Sequence, residues 1–147
     1  MLIMKFAPAT VAAALLCAVV TLPGFSQSAK PASRGANQAQ IAHGEYLVKG
    51  VAGCGDCHTP MNSKGQPIAG QWLDGARLDF KPIVQFPGWA DASPKIAGLE
   101  GWSNEQAIHL LMTGIAPGGQ RPRPPMPQYR MNHTDAAAVV AYLKSLK

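Results

Sequence analysis

Residues 54–58 read CGDCH, and no other stretch of the chain restricts its folding as tightly. On one turn of helix, residues three apart share a face. The Cys54 and Cys57 thiols therefore project together, with His58 directly after them. A C-x-x-C-H run is the attachment signature of c-type heme. Each thiol can add across one of the two vinyl groups along a porphyrin edge, and the imidazole then reaches toward the iron as the proximal ligand. Gly55 and Asp56 need only stay clear.

Two other chemistries use these residue types. A thioredoxin-like dithiol needs a preceding strand and a βαβ setting, whereas the sequence before Cys54 has helical character. A zinc site could draw on Cys54 and Cys57 with His43, His109 or His133, but no second ligand pair follows at finger spacing. Cysteine usage fits the heme reading better. The third cysteine, Cys17, falls in an apolar run, "FAPATVAAALLCAVVTLPGF", preceded by Lys5 and followed by the small residues of "SQSAK" near Ala29. This pattern predicts a secretory signal over residues 1–29, with a retained membrane anchor as its alternative. An exported chain would otherwise pair Cys54 with Cys57 as a disulfide, leaving His58 unexplained.

Without the leader, 118 of the 147 residues remain, a length suited to one domain. Lys5 leaves with it, so 12 basic residues face 8 acidic ones, a net of +4. That excess suits an acidic protein partner and is too diffuse to point to nucleic acid. Residues 30–37, "KPASRGAN", are expected to form a flexible lead-in. "QAQIAHGEYLVKG" predicts a first helix, with Ile41, Leu47 and Val48 inward and Gly50 near its end. In "GWSNEQAIHLLMTGIAPGG", Ser103 and Gln106 form a capping-box pair. Ile108, Leu111, Met112 and Ile115 then repeat at helical spacing, and Gly114 and Pro117 stop the element. A last helix starts at Thr134 as cap, with Asp135 in its first turn, and Lys144 and Lys147 in its last. Its stripe is Ala136, Val139, Val140, Leu143 and Leu146, with Tyr142 alongside. "RLDFKPIVQF" hints at a short strand, limited by Pro82. The expected fold is all-α with long loops and a thin apolar core, which suggests that something else helps to fill it.

An electron carrier needs its second axial site filled, and a methionine thioether there raises the potential. Met61 is too near His58 in sequence to cross to the other heme face, and Met112 belongs to a helical apolar stripe. Met126 lies in "RPRPPMPQYRM", where prolines fix φ and stiffen the chain. It is the candidate sixth ligand, followed by Met131 and then by His133 or His109. The same prolines also fit a linker or a polyproline recognition segment.

From Gly44 onward, the runs "GEYLVKGVAGCGDCHTP", "GWSNEQAIHLLMTG", "PPMPQYR" and "TDAAAVVAYLKSLK" resemble the class I, mitochondrial-type cytochrome c domains. The likeness is strongest to the single-heme units found with bacterial periplasmic dehydrogenases and oxidases. It covers most of residues 38–147, the expected domain, with the middle loops matching loosely. The resemblance implies N- and C-terminal helices crossing beside the heme, close packing at Gly44 and Tyr142, and His58 and Met126 as axial ligands. It also places "GQPIAG" where the family has its proline-bearing loop, making the Pro67 carbonyl the expected acceptor for the second ring nitrogen of His58. Trp102, Tyr129, Arg121 and Arg123 are candidate partners for the heme propionates, with core packing or a solvated face as their alternatives. The function expected is one-electron transfer in the periplasm, without substrate turnover. The chain would link a dehydrogenase to a terminal oxidase or another cytochrome, or serve as a dehydrogenase's cytochrome subunit. Contact with a membrane is expected only if the leader is retained. An open-site heme protein, sensor or peroxidase-like, is the alternative, although a diheme peroxidase needs two attachment motifs and one is present. A heme-free thiol–disulfide protein is the third reading.

Overall fold

A computed structural model describes residues 30–146, so the expected leader (1–29) and Lys147 lie outside the described residues. Helix α1 spans Lys30–Tyr46 and includes the stretch expected to be a flexible lead-in. The reason is compositional. Ala32, Arg34 and Ala36 favour a helix and outweigh Ser33, Gly35 and Asn37, and Pro31 falls in the first turn, where a missing N–H costs nothing. The helical path continues as a π turn over Leu47–Val51, which buries Leu47 and Val48. Gly53 then adopts φ +60°, a left-handed conformation that opens the short helix α2, Cys54–His58.

Residues 59–103 are mostly turns, pinned by one small ladder. Strand β1, Ala76–Arg77, pairs antiparallel with β2, Ala92–Ser93, in the register Ala76 to Ser93 and Arg77 to Ala92. The pairing occupies only the upstream edge of the stretch expected to hold a strand, and Pro82 lies beyond it. A 3₁₀ turn at Ala97–Leu99 leads to α3, Asn104–Thr113. Its capping box is formed as the sequence predicts, with Ser103 and Gln106 exchanging side chain-to-backbone bonds of 3.0 and 3.2 Å. Gly114 ends α3 in the left-handed conformation. Helix α4 spans His133–Ser145, and its cap is Asn132, not Thr134. Asn132 Oδ1 accepts the Asp135 amide at 2.9 Å, which leaves Thr134 within the first turn. Either residue type can cap; the approach of the chain decides which one does.

The helices at the two ends of the described residues, α1 and α4, cross closely. At the crossing Gly44 is buried, and a Cβ built on it would lie 1.9 Å from the Ala138 carbonyl oxygen and 2.9 Å from Tyr142 Cβ. Only a residue without a side chain admits that approach. At the exposed rim of the crossing, His43 Nε2 and Asp135 Oδ1 are 2.8 Å apart. Below it the core gathers Leu47 and Val48, Leu73, Ala107 and Leu111 of α3, and Ala136, Ala138, Val139, Val140, Tyr142 and Leu143 of α4. Met112, Met131 and Leu146 pack against this cluster, partly buried. Val48, Leu73 and Val139 are wholly or almost wholly buried, each stabilising the fold by about 1.5–3 kcal/mol.

Gly44→Ala should therefore destabilise the protein by about 3 kcal/mol, because no rotamer change moves a Cβ away from a helix backbone. Thermal unfolding followed by circular dichroism should show a Tm lower by about 10 °C or more.

Candidate heme-binding site

Helix α2 is five residues long, too short to persist alone. Its position is set by the irregular segment that follows. Gly75 N donates to the His58 carbonyl at 2.8 Å. The Ser93 hydroxyl donates to the Cys57 carbonyl, and Leu73 N donates to Thr59 Oγ1 at 3.1 Å. Beneath α2 lies the Trp72 ring: a Cβ at Gly55 would meet it at 2.4 Å. Trp72 Nε1 donates to the Tyr142 hydroxyl at 3.1 Å, which ties the motif to α4 through a single side chain. Lys49 Nζ stands 5.6 Å from the Trp72 ring centroid, within cation–π range.

The orientation of His58 follows from one bond. Its Nδ1 lies 2.8 Å from the Pro94 carbonyl oxygen. A carbonyl can only accept, so Nδ1 carries the proton and Nε2 is left with its lone pair for a metal. This corrects the expectation for Pro67. Pro67 is exposed in a turn over residues 61–68, where Asn62 Oδ1 accepts the Lys64 and Gln66 amides and Met61 bridges to Pro67. That local bonding turns the loop back on itself, and the segment just after β2 supplies the carbonyl instead. Burial pushes the His58 pKa below its ordinary value, opposed by the Pro94 bond, so the ring favours the neutral, ligating form.

Cys54, Cys57 and His58 line a cavity of about 620 Å³, a volume typical of small-molecule and cofactor sites. Its walls are largely apolar, with Leu78, Ile96, Leu99, Leu110, Leu111, Val139 and Leu143 contributing. A flat hydrophobic macrocycle suits such walls, and two thiols and an imidazole at one side suit its attachment. The thiols are free. Burial raises both of their pKa values, with the Asp56 carboxylate adding to the rise. A dithiol oxidoreductase needs the opposite, a thiolate favoured near neutral pH. Two thiols and an imidazole at one side of a largely apolar cavity fit a thioether-linked heme.

Met126 lines the same cavity. The other proposed axial ligands do not: Met131 packs on the core, and its amide donates to the Leu111 carbonyl at 3.1 Å. His109 and His133 are exposed. Among the described residues, the histidine, cysteine and methionine side chains of the cavity wall are Cys54, Cys57, His58 and Met126.

The propionate candidates divide. Trp102 and Tyr129 line the cavity. The Tyr129 hydroxyl donates to the Ala52 carbonyl at 2.8 Å, so its proton is already engaged. Its pKa is pushed up to about 12, first by burial and then by the neighbouring Cys54, which keeps it a donor. Arg121 is exposed and outside the cavity wall, correcting its expected role. Arg123 reaches the rim, but its guanidinium donates to the Gly88 and Trp89 carbonyls. Pro94, Ser93 and Arg123 thus carry contacts that motif spacing does not reveal, since each depends on a partner more than thirty residues away.

The family model for cytochrome c matches residues 41–147. Among curated relatives, a diheme cytochrome c-type protein of Cereibacter sphaeroides is 31% identical over 107 residues, covering 69% of this chain and 33% of that protein. The fructose dehydrogenase cytochrome subunit of Gluconobacter japonicus is 31% identical over 110 residues, covering 70% and 21%. The gluconate 2-dehydrogenase cytochrome c subunit of Pantoea cypripedii is 32% identical over 116 residues, covering 72% and 26%. The chain spans between about a fifth and a third of the length of these relatives.

Replacing Cys54 and Cys57 together with alanine should abolish covalent attachment. Acid–acetone should then extract any pigment from the double variant while leaving it on the wild type, as read from a heme-stained denaturing gel.

Proposed function

This chain belongs to the cytochrome c family, and from that premise we propose that it is an exported, periplasmic one-electron carrier with a single covalently held heme c ligated by His58 and Met126. Cytochromes of this family transfer electrons and transform no substrate themselves. In this reading the partner on one side is a periplasmic dehydrogenase. On the other is a terminal oxidase or another cytochrome, or else the chain serves as the dehydrogenase's own cytochrome subunit. Relatives that are cytochrome subunits of fructose and gluconate dehydrogenases support this choice. The leader-like sequence of residues 1–29 supports export. One C-x-x-C-H motif in 147 residues supports one heme in this chain.

The observation that carries the ligand reading is that His58 and Met126 both line one largely apolar cavity, while Met131, His109 and His133 lie elsewhere. Cys54 and Cys57 would hold the group through thioethers, with His58 Nε2 and Met126 Sδ toward the metal. Bound there, heme iron supplies a one-electron couple, and an imidazole–thioether pair favours its reduced form. The chain's own residues do the rest. The Pro94 carbonyl keeps the imidazole in one tautomer. Leu78, Leu111 and Val139 line the cavity with aliphatic surface, and an apolar surrounding would disfavour the more highly charged oxidised state. A mild positive charge suits brief docking to an acidic surface.

The test is the visible spectrum of protein matured in a heme-attaching periplasm. The ferric wild type should be low spin and show the weak far-red thioether-to-iron band. Met126→Ala should keep its heme, lose that band and show a lower midpoint potential. A band that survives Met126→Ala and disappears on exchanging Met131 overturns the assignment. A high-spin ferric spectrum with rapid carbon monoxide binding by the reduced wild type would instead favour an open-site heme protein.

A further inference from the structure

The segment that carries Met126 is unusually poor in hydrogen-bond donors. From Pro122 to Pro127 it reads PRPPMP, and proline has no backbone N–H. Only the Arg123 and Met126 amides remain. The Met126 amide is used within the strap itself, donating to the Arg123 carbonyl at 3.2 Å. Proline stiffens such a segment but cannot fasten it to its neighbours. Fastening has to come from carbonyls or from a side chain.

Both are found at one place. The Pro124 carbonyl accepts the Ala90 amide at 2.7 Å. Arg123 Nε donates to the Gly88 carbonyl at 2.9 Å, and its Nη2 donates to the Trp89 carbonyl at 2.7 Å. Three bonds thus converge on the consecutive residues 88–90. That loop is itself braced: the Trp89 ring meets Phe80 and Phe86 edge-on, with centroids 6.0 and 6.3 Å away. Downstream, the strap is fastened again by the Tyr129 hydroxyl on the Ala52 carbonyl at 2.8 Å. Met126 sits midway between these two anchors, three residues from each.

We propose that Arg123 is the positioning residue for the Met126 thioether, its guanidinium clamping the proline strap to the 88–90 loop so that the sulfur stays at the cavity wall. The inference rests on the reading of Met126 as axial ligand. Its physical basis is preorganisation. A thioether is a weak ligand that competes with other donors, and a strap already held in place loses little freedom when the sulfur binds. The two bonds use the planar fork of arginine, whose Nε and Nη2 reach adjacent carbonyls at once; a lysine ammonium offers donors from a single point.

The test is an imidazole titration of the ferric holoprotein at 25 °C, following the far-red thioether band. Arg123→Ala should keep its covalent heme and its helical circular dichroism, yet give up the band at an imidazole concentration at least tenfold lower than wild type. Arg123→Lys should fall between the two. Arg130→Ala removes the same charge downstream of Met126 without touching residues 88–90, and should titrate as wild type does. If Arg123→Ala lowers only the Tm and binds imidazole with wild-type affinity, Arg123 is merely structural and the proposal fails. Should that variant not accumulate, Arg123→Lys decides, and wild-type affinity in it likewise overturns the clamp. Met126→Ala separates the two levels of the argument. A band that persists in it removes the ligand reading, whereas a band lost there but imidazole-resistant in Arg123→Ala removes only the clamp.

Discussion

A five-residue helix that cannot sustain itself carries the attachment motif, and the rest of the structure depends on how it is fastened. Residues 54–58 receive hydrogen bonds from Gly75 and Ser93, and His58 donates to Pro94. Trp72 lies against Gly55 and reaches Tyr142 on α4. The region between α2 and α3 is nearly devoid of regular structure, yet it supplies most of these bonds. Its backbone polar groups serve as fixtures for the motif, and the two-residue ladder of β1 and β2 brings Ser93 and Pro94 back beneath it. The α1–α4 crossing then closes the framework, at a separation only Gly44 permits.

The cavity joins two opposite kinds of mechanical support. On the His58 side, position is set by several hydrogen bonds from the irregular segment between α2 and α3. On the Met126 side, a strap rich in proline is stiff along its length and fastened only near its ends. The walls between them are aliphatic, a setting of low dielectric in which small changes in ligand or charge have large effects on a redox couple. Tyr129 belongs to both sides, lining the cavity while its hydroxyl bonds to Ala52, two residues before Cys54.

Local chemistry was legible in the chain. The Ser103–Gln106 box, the Gly114 stop and the apolar stripe of α4 involve residues within one or two turns of each other, so their spacing carries the information. The same holds for Cys54, Cys57 and His58. Where two equivalent residue types stand close together, spacing alone does not choose between them. Asn132 and Thr134 can both cap, and the path of the incoming chain selected Asn132. Residues 30–37 are small and polar enough to read as a lead-in, yet nothing in them forbids a helix, and α1 includes them.

By itself the sequence determined the attachment chemistry, the helical class and the composition of the strap around Met126, because these follow from residue type and near-neighbour spacing. Tertiary structure alone decided that Pro94, not Pro67, accepts the His58 proton, and that Arg123, not Arg121, has structural work near the cavity. Any residue has a carbonyl, and either arginine could have turned toward the rim. Which group arrives depends on how the loops between residues 59 and 103 are routed, and that routing is set by contacts between residues far apart in the chain.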